Sequence, residues 1–309
     1  MSFSHRRIRK YIFLGLAAIT VSTVVALSYA YFIEPRRLVI NRQEIAISGL
    51  DPALDGLRIV AIGDVHGGSN HVDDAKLREL VANADQQDPD LIVLLGDYVA
   101  GRNGVAIPPL DSDLRMQVKD IADGLAGLQA KLGVFVVLGN HDGWYGDGLV
   151  AAQFERVGYR VLQNEVAVVE RNGRPLRIIG FKDILQLPNR WEETSMIGKR
   201  VLNAAGDGNV IALEHHPDIM PMITGKLSIS PDLKLVLAAH THGGQVWFPV
   251  IGTPIVPSTF GQKYSYGHIV DNNVDLFVTS GVGTSILPIR FMMPPEIAVL
   301  TLRSTAASP

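Results

Sequence analysis

The sequence predicts an α/β fold in which buried strands alternate with helices. Five short apolar runs rich in β-branched residues recur along the chain, each ends in polar residues, and the intervening stretches carry helical periodicity. The runs lie at 57–64 (LRIVAIGD), 90–97 (DLIVLLGD), 133–142 (GVFVVLGNHD), 209–216 (NVIALEHH) and 233–242 (LKLVLAAHTH). Apolar runs without alternation read as strands covered on both faces. Amphipathic stretches at about 72–87, 113–131 and 147–157 have the spacing that crossover helices require. Near the end, YSYGHIV and VDLFVTSG flank Asp271, Asn272 and Asn273, a hairpin signal.

The amino terminus is of another kind. HRRIRK (5–10) precedes 23 residues without a charge, YIFLGLAAITVSTVVALSYAYFI (11–33), and roughly 20 apolar residues suffice to cross a bilayer as a helix. The expectation is a basic flank at 1–10, a single-pass transmembrane anchor at 11–33, a tether at 34–44, one domain at 45–303 and a tail at 304–309. A cleaved signal is the rival reading, since Ser28 and Ala30 form a small-x-small site, and a buried core helix is another. Arg6 and Arg7 resemble the start of a twin-arginine signal, but Ile8, Arg9 and Lys10 stand where an apolar pair belongs. Arg6, Arg7, Arg9 and Lys10 before the span, against Glu34, Arg36, Arg37 and Arg42 after it, favour an internal amino terminus and a globular part outside.

No internal repeat, acidic block or Ser-rich linker divides the remainder, and 47% hydrophobic content supplies a large single core. A net charge of -3 gives no basic field, so nucleic acid is not an expected partner. Cysteine is absent, which excludes disulfides, thiolate metal sites and a cysteine nucleophile. Any metal must rest on nitrogen and oxygen ligands.

In open α/β sheets ligands gather beyond the carboxyl ends of strands. Here Asp, Asn and His fall at such ends five times, as GDVHG (63–67), GDYVAG (96–101), GNHDG (139–143), EHHPD (214–218) and AHTHGG (239–244). One Asp-x-His or one Gly-Asp reads as a turn. Six of the nine histidines lie in these segments, and a cluster of that composition at shared strand ends reads as a metal or catalytic site. Alternation along an extended strand would put His240 and His242 on one face.

This ordered set resembles the calcineurin-like metallophosphoesterase family: Asp-x-His, Gly-Asp, Gly-Asn-His-Asp, a His shortly before Pro, then Gly-His-x-His. The likeness extends over about 57–300, and is nearest the membrane-associated bacterial branch, given the amino-terminal span, THGGQ and GTSILPIRFMMPPEI (283–297). It implies a four-layer α/β/β/α sandwich of two mixed sheets flanked by helices. It also implies two divalent ions, manganese, iron or zinc. Asp64, His66 and His242 would hold one, Asn140, His215 and His240 the other, and Asp97 would bridge them, a role that needs a carboxylate's two oxygens. His215 rather than His216 is the implied ligand because it stands two residues before Pro217. Two such ions clamp attacking and leaving oxygens and generate hydroxide from bound water. His141 would protonate the leaving oxygen, with Asp142 fixing its tautomer; support of a ligand by hydrogen bonding is the alternative for His141. One departure stands out: Ala239 replaces the family's Gly. Ala100 stands where purple acid phosphatases have tyrosine, and GDYVAGRNG lacks the Asp-Arg-Gly of the Ser/Thr protein phosphatases, which argues against those two branches.

The implied activity is hydrolysis of a phosphodiester or pyrophosphate bond, with a phosphoester small molecule or a lipid-linked or nucleotide-lipid substrate, at a bacterial inner membrane. A non-catalytic envelope scaffold and a family nuclease are the alternatives; no protein partner is implied. FPVIGTPIVP (248–257) and ILPIRFMMPP (286–295) could hold acyl chains, dip into the membrane interface or pack as ordinary loops. Arg290 faces a phosphate or caps a carbonyl.

Overall fold

The computed structural model describes residues 5–101, 114–187 and 189–306; position 113, where the second helical stretch begins, lies outside them. Helix α1 (His5–Phe32) carries the apolar amino-terminal run; it is long and apolar enough to cross a membrane and nearly all of its surface is exposed.

Two six-stranded sheets follow. The first has the order β1 (Val39–Ser48), β12 (Glu296–Thr305), β2 (Arg58–Ile62), β3 (Leu91–Leu95), β4 (Val134–Val137) and β5 (Arg160–Val161). The second runs β10 (Gly267–Asp271), β11 (Val274–Val278), β9 (Leu233–Ala238), β8 (Asn209–Leu213), β7 (Arg174–Gly180) and β6 (Glu165–Arg171). Both are mixed. β2, β3, β4 and β5 pair in parallel, as do β7, β8, β9 and β11, while β12–β2, β6–β7 and β10–β11 are antiparallel.

Side chains of a strand alternate in direction, and here each alternate set meets a different core. Ile59 and Ala61 of β2, with Leu91, Val93 and Leu95 of β3, face Ile211 and Leu213 of β8 and Leu235 and Leu237 of β9. The opposite faces are covered by helices. Val60, Ile62, Ile92 and Leu94 pack beneath α2 (Asp74–Asp85), α3 (Val118–Leu125) and α5 (Asp147–Arg156). Val210, Ala212, Val236 and Ala238 pack beneath α6 (Arg190–Ala204) and α7 (Met220–Ile223). The result is the four-layer α/β/β/α sandwich, and burial on both faces explains why the interiors of the five runs are apolar apart from Arg58 and Lys234 near the starts of β2 and β9.

Several boundaries differ from the sequence reading. β1 begins at Val39 and pairs with β12 along its whole length, so residues 39–44 belong to the sheet rather than to the tether, and β12 takes in 304–305 of the tail. α3 stops at Leu125 because Ala126 turns extended and Gly127 sits at φ +117°. α6 and the β6–β7 hairpin were not among the predicted elements. The buried face of α6 is Thr194, Ser195, Gly198 and Leu202, which carries almost no apolar periodicity. The hairpin turns at Asn172-Gly173, both at positive φ. The β10–β11 hairpin is as predicted, with Asn272 and Asn273 at φ 51° and 60°.

Candidate metal centre

The polar residues stand just beyond five strand ends. Asp64 follows β2, Asp97 follows β3, His215 follows β8 and His240 follows β9, each by two positions; Asn140 follows β4 by three and opens the short helix α4 (Asn140–Tyr145). Asp64, His66, Asp97, His240 and His242 are all left-handed, with φ of 49°, 44°, 55°, 66° and 53°. For residues with a Cβ this costs roughly 1–3 kcal/mol each and persists only where surrounding contacts impose it. Those contacts are cross-loop hydrogen bonds: Asp64 N to Gly96 O (3.0 Å), His66 N to Asp97 O (2.9 Å) and Ala239 N to His215 O (2.9 Å). His240 and His242 therefore lie past the strand, and reach the site by left-handed turns rather than by alternation.

Three overlapping groups of ligand atoms result, Asp64 with His66 and His242, Asp97 with His215 and His240, and, across these two, His66 with Asp97 and His141; within each, the atoms lie within 4.8 Å of one another. His66 Nδ1 meets Val99 O (3.1 Å) and His215 Nδ1 meets Leu95 O (2.8 Å). A carbonyl only accepts, so these nitrogens donate and the neutral rings present Nε2 as a lone pair. His66 Nε2 then lies 3.2 Å from His242 Nε2, and His215 Nε2 lies 3.1 Å from His240 Nδ1. Facing lone pairs repel unless a proton or a cation lies between them. Between the groups stands Asp97, whose Oδ2 is 3.6 Å from His66 Nε2 and 3.2 Å from His215 Nε2. Asp64 Oδ2, Asn140 Oδ1 and His242 Nδ1 are buried without a hydrogen-bond partner. Orphaned oxygens and paired imidazoles are the donor set that a divalent cation satisfies.

The electrostatics agree. Burial pushes the Asp64 carboxyl up to about 7, with the Asp97 charge adding to it. Burial acts on Asp97 in the same sense, but His215 and His141 outweigh it and hold that carboxyl well below the usual range. Burial lowers His66 to about 3, and with neighbouring imidazoles holds His240 and His242 well below the usual value. His215 goes the other way: burial opposes its charge, yet Asp97 raises it well above normal. Asp97 thus favours positive charge at His215 Nε2, whether a proton or a cation supplies it.

Of the two residues expected to do acid–base work, one has a different place. Asp142 is buried, and its carboxylate accepts from four backbone amides: Asp97 N (2.8 Å), Tyr98 N (2.9 Å), Val99 N (3.2 Å) and Gly139 N (2.9 Å). These bonds saturate it, so the expectation that Asp142 sets the tautomer of His141 is corrected: it clamps the Asp97 loop to the Asn140 loop. His141 does stand at the site. Its side chain is 17% exposed, its ring meets the edge of His66 with centroids 4.9 Å apart, and its Nε2 is 4.0 Å from Asp97 Oδ2.

Arg290 needs the second correction. It is fully buried and its guanidinium donates to the carbonyls of Ser280 (2.7 Å), Gly283 (2.7 and 3.1 Å), Met293 (3.1 Å) and Pro294 (3.5 Å). No donor remains for a phosphate. The Ala239 methyl joins the inter-sheet core, and a Cβ at Gly63 would stand 2.6 Å from it, so glycine at 63 makes the room. His216 accepts from Asp218 N (3.2 Å) and stacks on His240 with centroids 3.9 Å apart, fixing that ring. Sequence reasoning missed Trp144, which is exposed and lies against His141, and the buried carboxyls of Asp183 and Glu214 behind His215.

Among known proteins, residues 57–244 match the family model for calcineurin-like phosphoesterases. The chain is 28% identical over 305 residues to the metallophosphoesterase YkuE of Bacillus subtilis, covering 98% of each. It is 26% identical to the phosphodiesterase YaeI of Escherichia coli, covering 94% of this chain and 97% of that one. A Danio rerio transmembrane protein with a metallophosphoesterase domain is 28% identical, over 84% of this chain and 56% of its own. Among solved structures, the Haemophilus influenzae NAD nucleotidase matches 73% of this chain at a TM-score of 0.48 and 14% identity; the match spans 50% of the nucleotidase.

Proposed function

Since the chain belongs to the calcineurin-like phosphoesterase family, we propose that it is a membrane-anchored two-metal enzyme that cleaves a phosphodiester or pyrophosphate bond in a lipid-linked or nucleotide-lipid substrate. It is a metal-dependent phosphoric ester hydrolase. In the proposed arrangement Asp64, His66 and His242 hold one ion, Asn140, His215 and His240 hold the other, and Asp97 is shared. The observation that carries it is the position of Asp97 Oδ2, within reach of an imidazole from each group. When bound, divalent ions of this kind screen phosphoryl oxygens and activate water.

The chain's own residues supply the rest. Asp142 holds the Asp97 and Asn140 loops together through four amides. Val99 O and Leu95 O orient His66 and His215. His141 reaches solvent beside Asp97 and gives its Nε2 proton to the leaving oxygen as that oxygen's bond to phosphorus breaks. The similarity to a phosphodiesterase favours diesters, and the exposed apolar helix α1 favours substrates concentrated at a membrane. The modest excess of Arg and Lys before the span favours a domain on the outer side of a bacterial inner membrane.

Purified full-length protein loaded with manganese, zinc or iron tests this against aryl, lipid and nucleotide diesters and pyrophosphates. Turnover should vanish on chelation and return with metal, and His141→Ala should keep both ions while losing about 10²- to 10⁴-fold in kcat. Inertness toward every such substrate with two ions bound would refute it.

A further inference from the structure

We propose that two apolar loop tips beside the end of α1, at Val250–Ile251 and at Ile286–Leu287, seat in the interfacial zone of a phospholipid bilayer and hold the domain against it. The proposal rests on the reading of α1 as a membrane span, and adds a second contact that the span does not require.

The last turn of α1 is locked to the domain. Arg290 N donates to Ala30 O (2.9 Å), and Asn70 Nδ2 donates to both Tyr31 O (3.0 Å) and Pro288 O (2.7 Å). The Tyr29 ring meets Phe291 edge-on, centroids 6.3 Å apart, and its hydroxyl accepts from Arg37 (2.7 Å). One amide thus ties the residue after Leu287 to the helix end, which fixes Ile286 and Leu287 at the level where α1 leaves the domain. The second tip is tied to the first. Trp247 N donates to Phe291 O (2.9 Å), Gln245 Nε2 donates to Leu287 O (2.9 Å), and the rings of Phe248 and Phe291 pack at 5.7 Å. Two hydrogen bonds between Phe248 and Gly252 close the turn that carries Val250.

What these anchored loops present is apolar. Val250 is fully exposed, Ile286 is 89% exposed, and Ile251, Ile255 and Leu287 are more than half exposed. Val250 and Ile286 also sit at φ 75° and 61°, where a β-branched residue is an outlier. The fold therefore maintains unfavourable backbone at side chains that nothing among the described residues covers. Loop packing would have turned them inward. Tyr29, Tyr31 and Phe32 stand at the same level with Arg36 and Arg37 just beyond, the aromatic and cationic order of a membrane interface. A cleft of about 460 Å³ lies between this rim and the loop after His66, bounded by Tyr31, Ser69, His71, Thr284 and Leu287. A phosphoester in the bilayer surface would meet this cleft from the side.

The chain has no cysteine, so single labels test the proposal in the full-length protein. Val250→Cys, Ile286→Cys, Val21→Cys in α1 and Val168→Cys on β6 each receive an environment-sensitive fluorophore. Each is reconstituted in phosphatidylcholine–phosphatidylglycerol vesicles containing a doxyl-labelled lipid. Emission at 250 and 286 should shift blue and be quenched at least twofold, as at 21, while 168 is unaffected. Unquenched 250 and 286 with a quenched 21 would overturn the rim and leave the span intact. Blue-shifted but unquenched tips would mean that protein covers them, which also overturns it. An unquenched 21 would refute the span, and the rim would then stand only if 250 and 286 were still quenched.

Discussion

Replacing Asp142 by Asn separates two roles for this carboxylate. Its Oδ1 accepts from Tyr98 N and Val99 N, and its Oδ2 from Asp97 N and Gly139 N. Whichever oxygen becomes an amide nitrogen, two buried backbone donors then face a donor. Each unsatisfied group costs about 1–3 kcal/mol, so the variant should lose about 4 kcal/mol, or about 10 °C in Tm for a domain of this size. Burial raises Asp142 to about 7, with Asp97 adding to the effect, so the comparison belongs at pH 8, where the parent is ionised. Loosening the Asp97 loop should also weaken metal binding by about 10- to 100-fold. The assays are thermal unfolding of the metal-free protein and a metal titration. A variant that melts with the parent, binds both ions normally and loses only turnover would refute the clamp and restore Asp142 as the partner of His141.

Arg290→Lys should destabilise the protein by about 3 kcal/mol or more in a denaturant titration, because one ammonium cannot serve the carbonyls of Ser280, Gly283 and Met293 together. A loss of substrate affinity with unchanged stability would instead mean phosphate contact. Asp183 is raised by burial from 3.8 to about 6, and its Oδ2 is buried without a partner. A raised carboxyl favours the folded state below about pH 4, and that stability is lost as pH climbs through about 6. Asp183→Asn should therefore gain on the parent between pH 4 and 7, reaching roughly 1–3 kcal/mol, and a difference that does not change with pH would contradict the assignment.

The centre was legible because strands buried on both faces admit polar residues only at their ends. Asp64, Asp97, Asn140, His215 and His240 each close an apolar run where a core role cannot account for them, and the structure gathers all five segments at one rim. The rest lacked a sequence signature for definite reasons. Asp142 binds backbone amides of another segment, and amides carry no residue identity. Arg290 sits in an apolar loop and serves carbonyls, which are equally anonymous. α6 hides because small and polar residues line its buried face. The left-handed turns at Asp64, Asp97 and His240 occur at residues other than glycine, where propensity argues against them. The β6–β7 hairpin was legible in principle, since Asn172-Gly173 divides two runs with alternating stretches.

If one carboxylate, Asp97, serves two ions, counting the ions bound shows it. Full-length protein should retain two divalent ions per chain after titration and desalting. Asp97→Asn should lose tight binding at both positions, whereas His242→Ala should lose one ion and keep the other. Two ions still bound to Asp97→Asn, or a parent that never binds more than one, would contradict the account.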